Sequence, residues 1–330
     1  MLLFLAAIAS GLVAAQGAKG GEEVQWAQLA FSAPWSVRER AAAAVLGDRA
    51  FLLGGYVWAS SEHKNDVWSS ADGGNWTQCT ARAPWEARSG HAALALAGRL
   101  LVLAGENSPI GENVYFNDVW ASSDGVTWEQ VTGQAPWSKR TGAAAVAFDS
   151  KVFVLGGVNE KQTFLNDVWA SADGKEWTEL TTPSTAPWQG RWGSGAVAFQ
   201  NRLLLMGGYI DEGSGFAEDI WTSADGSAWE RLTSPPWAAR GEFGLAALGS
   251  RVFVLGGSHF GPLRDVWASE DGKTWTQLES GPWEARRGLS VAAMKNQLLL
   301  LAGNGQYVQD QYNDVWSLTE PISLSHPVVV

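Results

Sequence analysis

Residues 136–177 read PWSKRTGAAAVAFDSKVFVLGGVNEKQTFLNDVWASADGKEW, and the order of features in this stretch decides the fold. Pro136-Trp137 leads to Arg140, then to the small-residue run Gly142-Ala143-Ala144-Ala145-Val146. A short turn precedes Val152-Phe153-Val154-Leu155, which stops at Gly156-Gly157. Beyond a loop come Asp167-Val168-Trp169 and the Ser171-Ala172-Asp173-Gly174 turn, closed by Trp177. Short β-branched and aromatic runs bounded by Gly, Asp-Gly and Pro, with no 3.6-residue period, predict four antiparallel strands. In the Asp-Gly turn, glycine is free to take positive φ and the aspartate bonds the turn backbone.

The unit is written six times, with Pro-Trp-x-x-Arg placing Arg38, Arg88, Arg140, Arg191, Arg240 and Arg286. The matching Asp-Val/Ile-Trp tryptophans are Trp68, Trp120, Trp169, Trp221, Trp267 and Trp316, spaced 52, 49, 52, 46 and 49 residues apart. Nearly equal spacing along the chain predicts one repeat architecture, an all-β six-bladed propeller over residues 24–319. The sixth copy has no Asp-Gly-x-x-Trp strand after Trp316, whereas Val24-Gln25-Trp26-Ala27-Gln28-Leu29 matches that strand elsewhere. Residues 24–29 are therefore expected to complete the last blade and close the ring, hiding the sheet edges.

The composition agrees with such a core. The chain has 330 residues, 46% hydrophobic and 17% charged, with 20 Trp. Eighteen of these fall three to a blade, leaving Trp58 and Trp192 outside the pattern. A net charge of −11 excludes a nucleic-acid surface built on bulk basic charge. Cys79 is the single cysteine, so no internal disulfide forms. The four histidines show no metal-ligand spacing, and neither a metal nor a cofactor is expected. Residues 1–15, MLLFLAAIASGLVAA, read as a signal peptide and 16–23 as a linker; 320–330 read as a C-terminal tail. The expected product is a secreted monomer with no membrane span after cleavage, and Asn75-Trp76-Thr77 is its one glycosylation sequon.

The paired glycines, the aromatic of the third strand and the Trp opening the fourth resemble the Kelch family in order and period. The departures are Trp for Tyr on the third strand, Ala-Gly in copies two and six, and the recurrent Pro-Trp-x-x-Arg. The resemblance implies the propeller, and a binding role for protein, peptide or glycan on the face bearing the variable loops. It also implies a rival: a sugar-modifying enzyme similar to N-acetylneuraminate epimerase, with the repeat arginines and Glu106 as nominees for sugar-acid chemistry.

Candidate ligand contacts gather on that top face. The repeat arginines form either an anion-binding ring or structural pairs with Asp66, Asp118, Asp167, Asp219, Asp265 and Asp314, which recur in step with them. Pairing would remove the main support of the anion-ring and enzyme readings. Arg40 and Arg287 have no counterpart in the other copies and are the better nominees. Tyr56, Trp58, Glu106, Glu160, Trp192, Tyr209, Asp211, Glu212, His259, Tyr307 and Asp310 complete the loop candidates.

Overall fold

The computed structural model describes residues 24–108, 114–210 and 215–320. The signal-peptide, linker, Asp211 and Glu212 expectations, and all of the expected tail except Glu320, fall outside them. The chain forms the expected six blades of four antiparallel strands. Blade 1 runs outward from Ala42–Leu46 through Arg49–Val57 and Glu62–Ser70 to Thr77–Thr80. The inner strands of blades 2 to 6 are Ala92–Leu96, Ala144–Phe148, Gly195–Phe199, Gly244–Leu248 and Ser290–Met294. Small residues at these positions let six sheets converge on one axis. Among the described residues, helix is confined to the 3-10 turn Trp58–Ser60, and no helix is long and apolar enough to cross a membrane.

Closure occurs where it was expected. Gln25–Ala30 pairs antiparallel with Val315–Thr319, Gln25 opposite Thr319, so blade 6 takes its outer strand from the start of the propeller. Each hydrophobic cluster lies between two neighbouring blades; Leu52 and Trp76 of blade 1, for example, pack with Leu299 and Leu301 of blade 6. Within each blade the Pro-Trp ring meets the outer-strand ring edge-on, as in Trp35–Trp76 at 4.8 Å and Trp26–Trp283 at 6.0 Å. Such pairs add to the burial of large apolar area that holds a fold with no disulfide.

Two hydrogen-bonded hoops bind the blades at the top. In the outer one, the last residue of each Gly-Gly or Ala-Gly step donates to a repeat-arginine carbonyl of the next blade: Gly55 to Arg88, Gly105 to Arg140, Gly157 to Arg191, Gly208 to Arg240, Gly257 to Arg286 and Gly303 to Arg38, at 2.7–3.0 Å. In the inner one, residues two beyond each arginine bond in a closed circle: Gly90 N to Arg40 O, Gly142 to Gly90, Gly193 to Gly142, Glu242 to Gly193, Gly288 to Glu242 and Arg40 to Gly288, at 2.8–2.9 Å. All members of this inner hoop have φ between 52° and 63°. Four are glycine, which tolerates that region; Arg40 and Glu242 are not.

Candidate functional site

The repeat arginines are hubs of the scaffold rather than ligand contacts. Arg38, Arg88, Arg140, Arg191, Arg240 and Arg286 are 0–1% exposed. Each makes a forked pair with its blade's aspartate, Asp66, Asp118, Asp167, Asp219, Asp265 or Asp314, at 2.6–3.1 Å. Their remaining donors reach backbone carbonyls, as Arg38 does at Gly54 and Ser36. The aspartates also accept the indole N–H two residues on, as in Trp68 to Asp66 at 2.8 Å. A guanidinium spent in this way has no fork left for a ligand, so the assignment of these six to the ligand site is corrected.

The two side chains placed on the inner hoop, with their neighbours, form the channel mouth. Arg40 Nη1 lies 2.6 Å from Glu106 Oε1, and its Nε 3.6 Å from Glu242 Oε1. Its guanidinium stands 5.3 Å from the Trp192 ring centre, and that ring stacks on Tyr209 at 4.7 Å and 13°. Glu39, buried at 7% exposure, accepts the Trp58 indole N–H at 2.7 Å. Burial, followed by the nearby Glu242 charge, pushes the Glu39 carboxyl above its ordinary value. Burial and Glu242 likewise push the Tyr209 phenol to about 12; its hydroxyl lies 3.3 Å from Glu242 Oε2. Burial opposes the charge of Arg40, but Glu106, Glu242 and Glu39 more than offset it, so it stays cationic.

Beside this cluster opens a cavity of about 350 Å³, lined by Tyr209, Phe216, Ser258, Phe260, Arg287 and Gln306 with Gly215, Gly261, Pro262 and Gly305. Tyr209, Phe216 and Phe260 form a continuous aromatic wall, with centres 4.7 and 5.4 Å apart. Arg287 is half-buried in its lining and, among the described residues, makes no hydrogen bond or ion pair with a carboxylate. Its charge is felt at Glu39 and Tyr209 only through space.

Of the other nominees, Tyr56 packs on Trp58 and His63 at 5.0 and 4.7 Å. His259 caps the Ala239 carbonyl through Nδ1 at 2.6 Å. Tyr307 is exposed in a turn that Asp310 holds, and Glu160 lies 3.7 Å from Lys139 on the surface. Asn75 is exposed on the opposite face, its amide bonded to Asp72 at 2.8 Å. Glu320, expected in the tail, is held by Arg251. Among the described residues no group of three or more His, Cys, Asp or Glu is arranged to hold a metal. Sequence reasoning missed Glu39, Glu242, Phe216 and Phe260. Arg240-Gly241-Glu242 carried a signal, because it breaks the Arg-x-Gly pattern of Arg88-Ser89-Gly90 and three other copies.

A family model described as the KLHDC2/KLHL20/DRC7 Kelch-repeats domain matches residues 40–257. No curated protein matches the chain. Among solved structures, one titled "Structure of YjhT" is similar in fold, with a TM-score of 0.72 and 16% identity over 88% of this chain and 99% of that one.

Proposed function

The chain belongs to the Kelch-repeat family, and from that premise we propose that it is a secreted, non-catalytic binding module that takes an anionic ligand at the mouth of its top face. One observation carries the reading: Arg287 lines an aromatic-walled cavity and, among the described residues, pairs with no carboxylate. Arg40 and the repeat arginines, by contrast, are already matched with carboxylates. A carboxylate, phosphate or sulfate seated on Arg287 gains charge-assisted bonds where water is partly excluded. The aromatic wall then holds the apolar body of the ligand. The uncharged apolar segment 1–15 supports secretion.

The test is thermal stabilisation of the full chain by a panel of small carboxylates, sugar acids and phosphates. A ligand present at a hundredfold excess over its Kd adds about 2.7 kcal/mol to stability. At least one anion should raise the melting temperature, and Arg287→Ala should abolish the rise. A panel without effect, or a rise that survives Arg287→Ala, overturns the reading.

A second reading, a sugar-modifying enzyme similar to N-acetylneuraminate epimerase, draws support from the raised Glu39 carboxyl beside Glu242, since a carboxyl raised in this way suits acid–base work. Faster anomer exchange of a sugar acid, followed by NMR and lost in Glu39→Gln, would establish it in place of the non-catalytic one.

A further inference from the structure

The loops that frame the Arg287 cavity carry large apolar side chains out into solvent. Phe260 is 84% exposed, Tyr307 62% and Val308 48%. These are neighbours in the fold, because the loop bearing Phe260-Gly261 meets the loop bearing Gln306: the Gly261 Cβ direction faces Gln306 Oε1 at 3.5 Å. Phe260 leans edge-on against Phe216, and Tyr307-Val308 follow directly from Gln306. The result is an apolar ridge beside a pocket that has a cation in its lining. Its cost in solubility calls for a covering partner.

We infer that this ridge and the Arg287 pocket together dock a polypeptide segment in which a carboxylate sits beside a large apolar residue. The inference rests on the anion-binding reading of Arg287 and goes beyond it by naming the partner. Charge complementarity sets the first element, since the cation in the cavity lining has no carboxylate of its own among the described residues. The ridge sets the second. Phe260 and Val308 offer no hydrogen-bonding group; a sugar ring stacks a C–H face on Phe260, but its hydroxyls find no partner on either side chain. An aliphatic or aromatic side chain covers the same surface with no such loss, and aromatic-rich patches of this kind form the centres of protein interfaces.

The experiment is a selection of random decapeptides displayed on phage against the full chain. Enriched sequences are then made as synthetic peptides and their binding measured by fluorescence anisotropy. Two variants read the two elements separately. Arg287→Ala should weaken the selected peptides roughly tenfold to a hundredfold. Tyr307→Ser combined with Val308→Ser, which lie on the ridge and outside the cavity lining, should weaken them at least about tenfold while leaving the binding of acetate and benzoate unchanged. Both ridge residues lie in solvent, so the double variant should melt with the parent, which separates lost docking from lost folding.

Enrichment of Asp or Glu next to Phe, Tyr, Trp, Leu or Ile supports the inference. Peptides without an acidic residue overturn it, as does binding indifferent to the ridge variant. Selective capture of acidic glycans on an array, retained by the ridge variant, overturns it in favour of a carbohydrate. If the ridge variant is neutral while Arg287→Ala still loses carboxylate binding, the peptide partner fails and the anion site stands. If Arg287→Ala changes nothing, the anion site itself fails.

Discussion

Arg40 of blade 1 and Glu242 of blade 5 occupy equivalent left-handed backbone positions, φ 52° and 53°, and face one another across the channel mouth with Nε 3.6 Å from Oε1. The four other blades place glycine there: Gly90, Gly142, Gly193 and Gly288. Side chains held in this region cost about 1–2 kcal/mol each, and they persist where function uses them. Restoring the repeat pattern with Glu242→Gly removes that strain and one of two neighbouring carboxylates. It forfeits a long ion pair and one hydrogen bond from Tyr209. We expect a gain of about 1 kcal/mol, read as a higher melting temperature, together with altered ligand binding. A loss of more than about 1 kcal/mol would show that Glu242 is structural.

Glu39 supplies a pH-dependent test of the same cluster. Its carboxyl is raised in the folded protein, first by burial and then by Glu242, so the folded state holds its proton more tightly than the unfolded chain does. The stability this contributes is fully present below the unfolded value of 4.5 and is lost as pH rises through the folded value. Glu39→Gln stays neutral at every pH and can keep the Trp58 indole bond. The stability difference, variant minus parent, should therefore grow as pH rises from 4 to 8, measured by urea unfolding at each pH. A flat difference would mean that Glu39 titrates normally.

The hub pairs predict a different outcome. Asp167 accepts both arms of Arg140 and the Trp169 indole, all within the blade. Asp167→Ala strands a fully buried guanidinium and should cost about 3–5 kcal/mol. Calorimetry should show this as a large fall in the melting temperature, and ligand affinity below the transition should be unchanged. An intact melting temperature would overturn the scaffold role given to the repeat arginines.

The architecture was legible because its causes are local and repeated. Gly156-Gly157 needs positive φ at both positions, and the Asp-Gly turns and strand runs announce themselves in every copy. Closure by Gln25–Ala30 was legible because Trp26 matches the outer-strand tryptophans in kind and context. Arg40 stood out as a residue with no counterpart, and Glu106 and Trp192 as loop candidates. Their meeting did not, since Glu106, Glu242 and Trp192 lie on blades 2, 5 and 4 and reach Arg40 only through ring geometry. The periodic Arg and Asp were visible, but their burial was not, because a sequence spacing does not say whether a guanidinium faces solvent. Phe260 reads in sequence as one more loop aromatic; its place on the pocket rim follows from how blades 5 and 6 abut.

His91 connects that packing to acid stability. It precedes the inner strand Ala92–Leu96 and is wedged between blades, with its ring 5.9 Å from that of Trp85 and against Gly54 of blade 1. Burial, assisted by the Arg88 charge, pushes its pKa down to about 3, and burial pushes His63 down to about 4. Both must stay neutral in the folded state, whereas in the unfolded chain they gain protons below about 6.5. The unfolded state then binds more protons, so stability is fully present above that value and falls as pH drops towards 4, by up to about 1.4 kcal/mol per pH unit for each group. Blade 6 places Leu289 where blade 2 has His91, so His91→Leu suits the environment. The variant should flatten the loss of melting temperature between pH 6.5 and 4, and adding His63→Ala should flatten it further. An acid sensitivity equal to the parent's in the double variant would assign the loss to other groups.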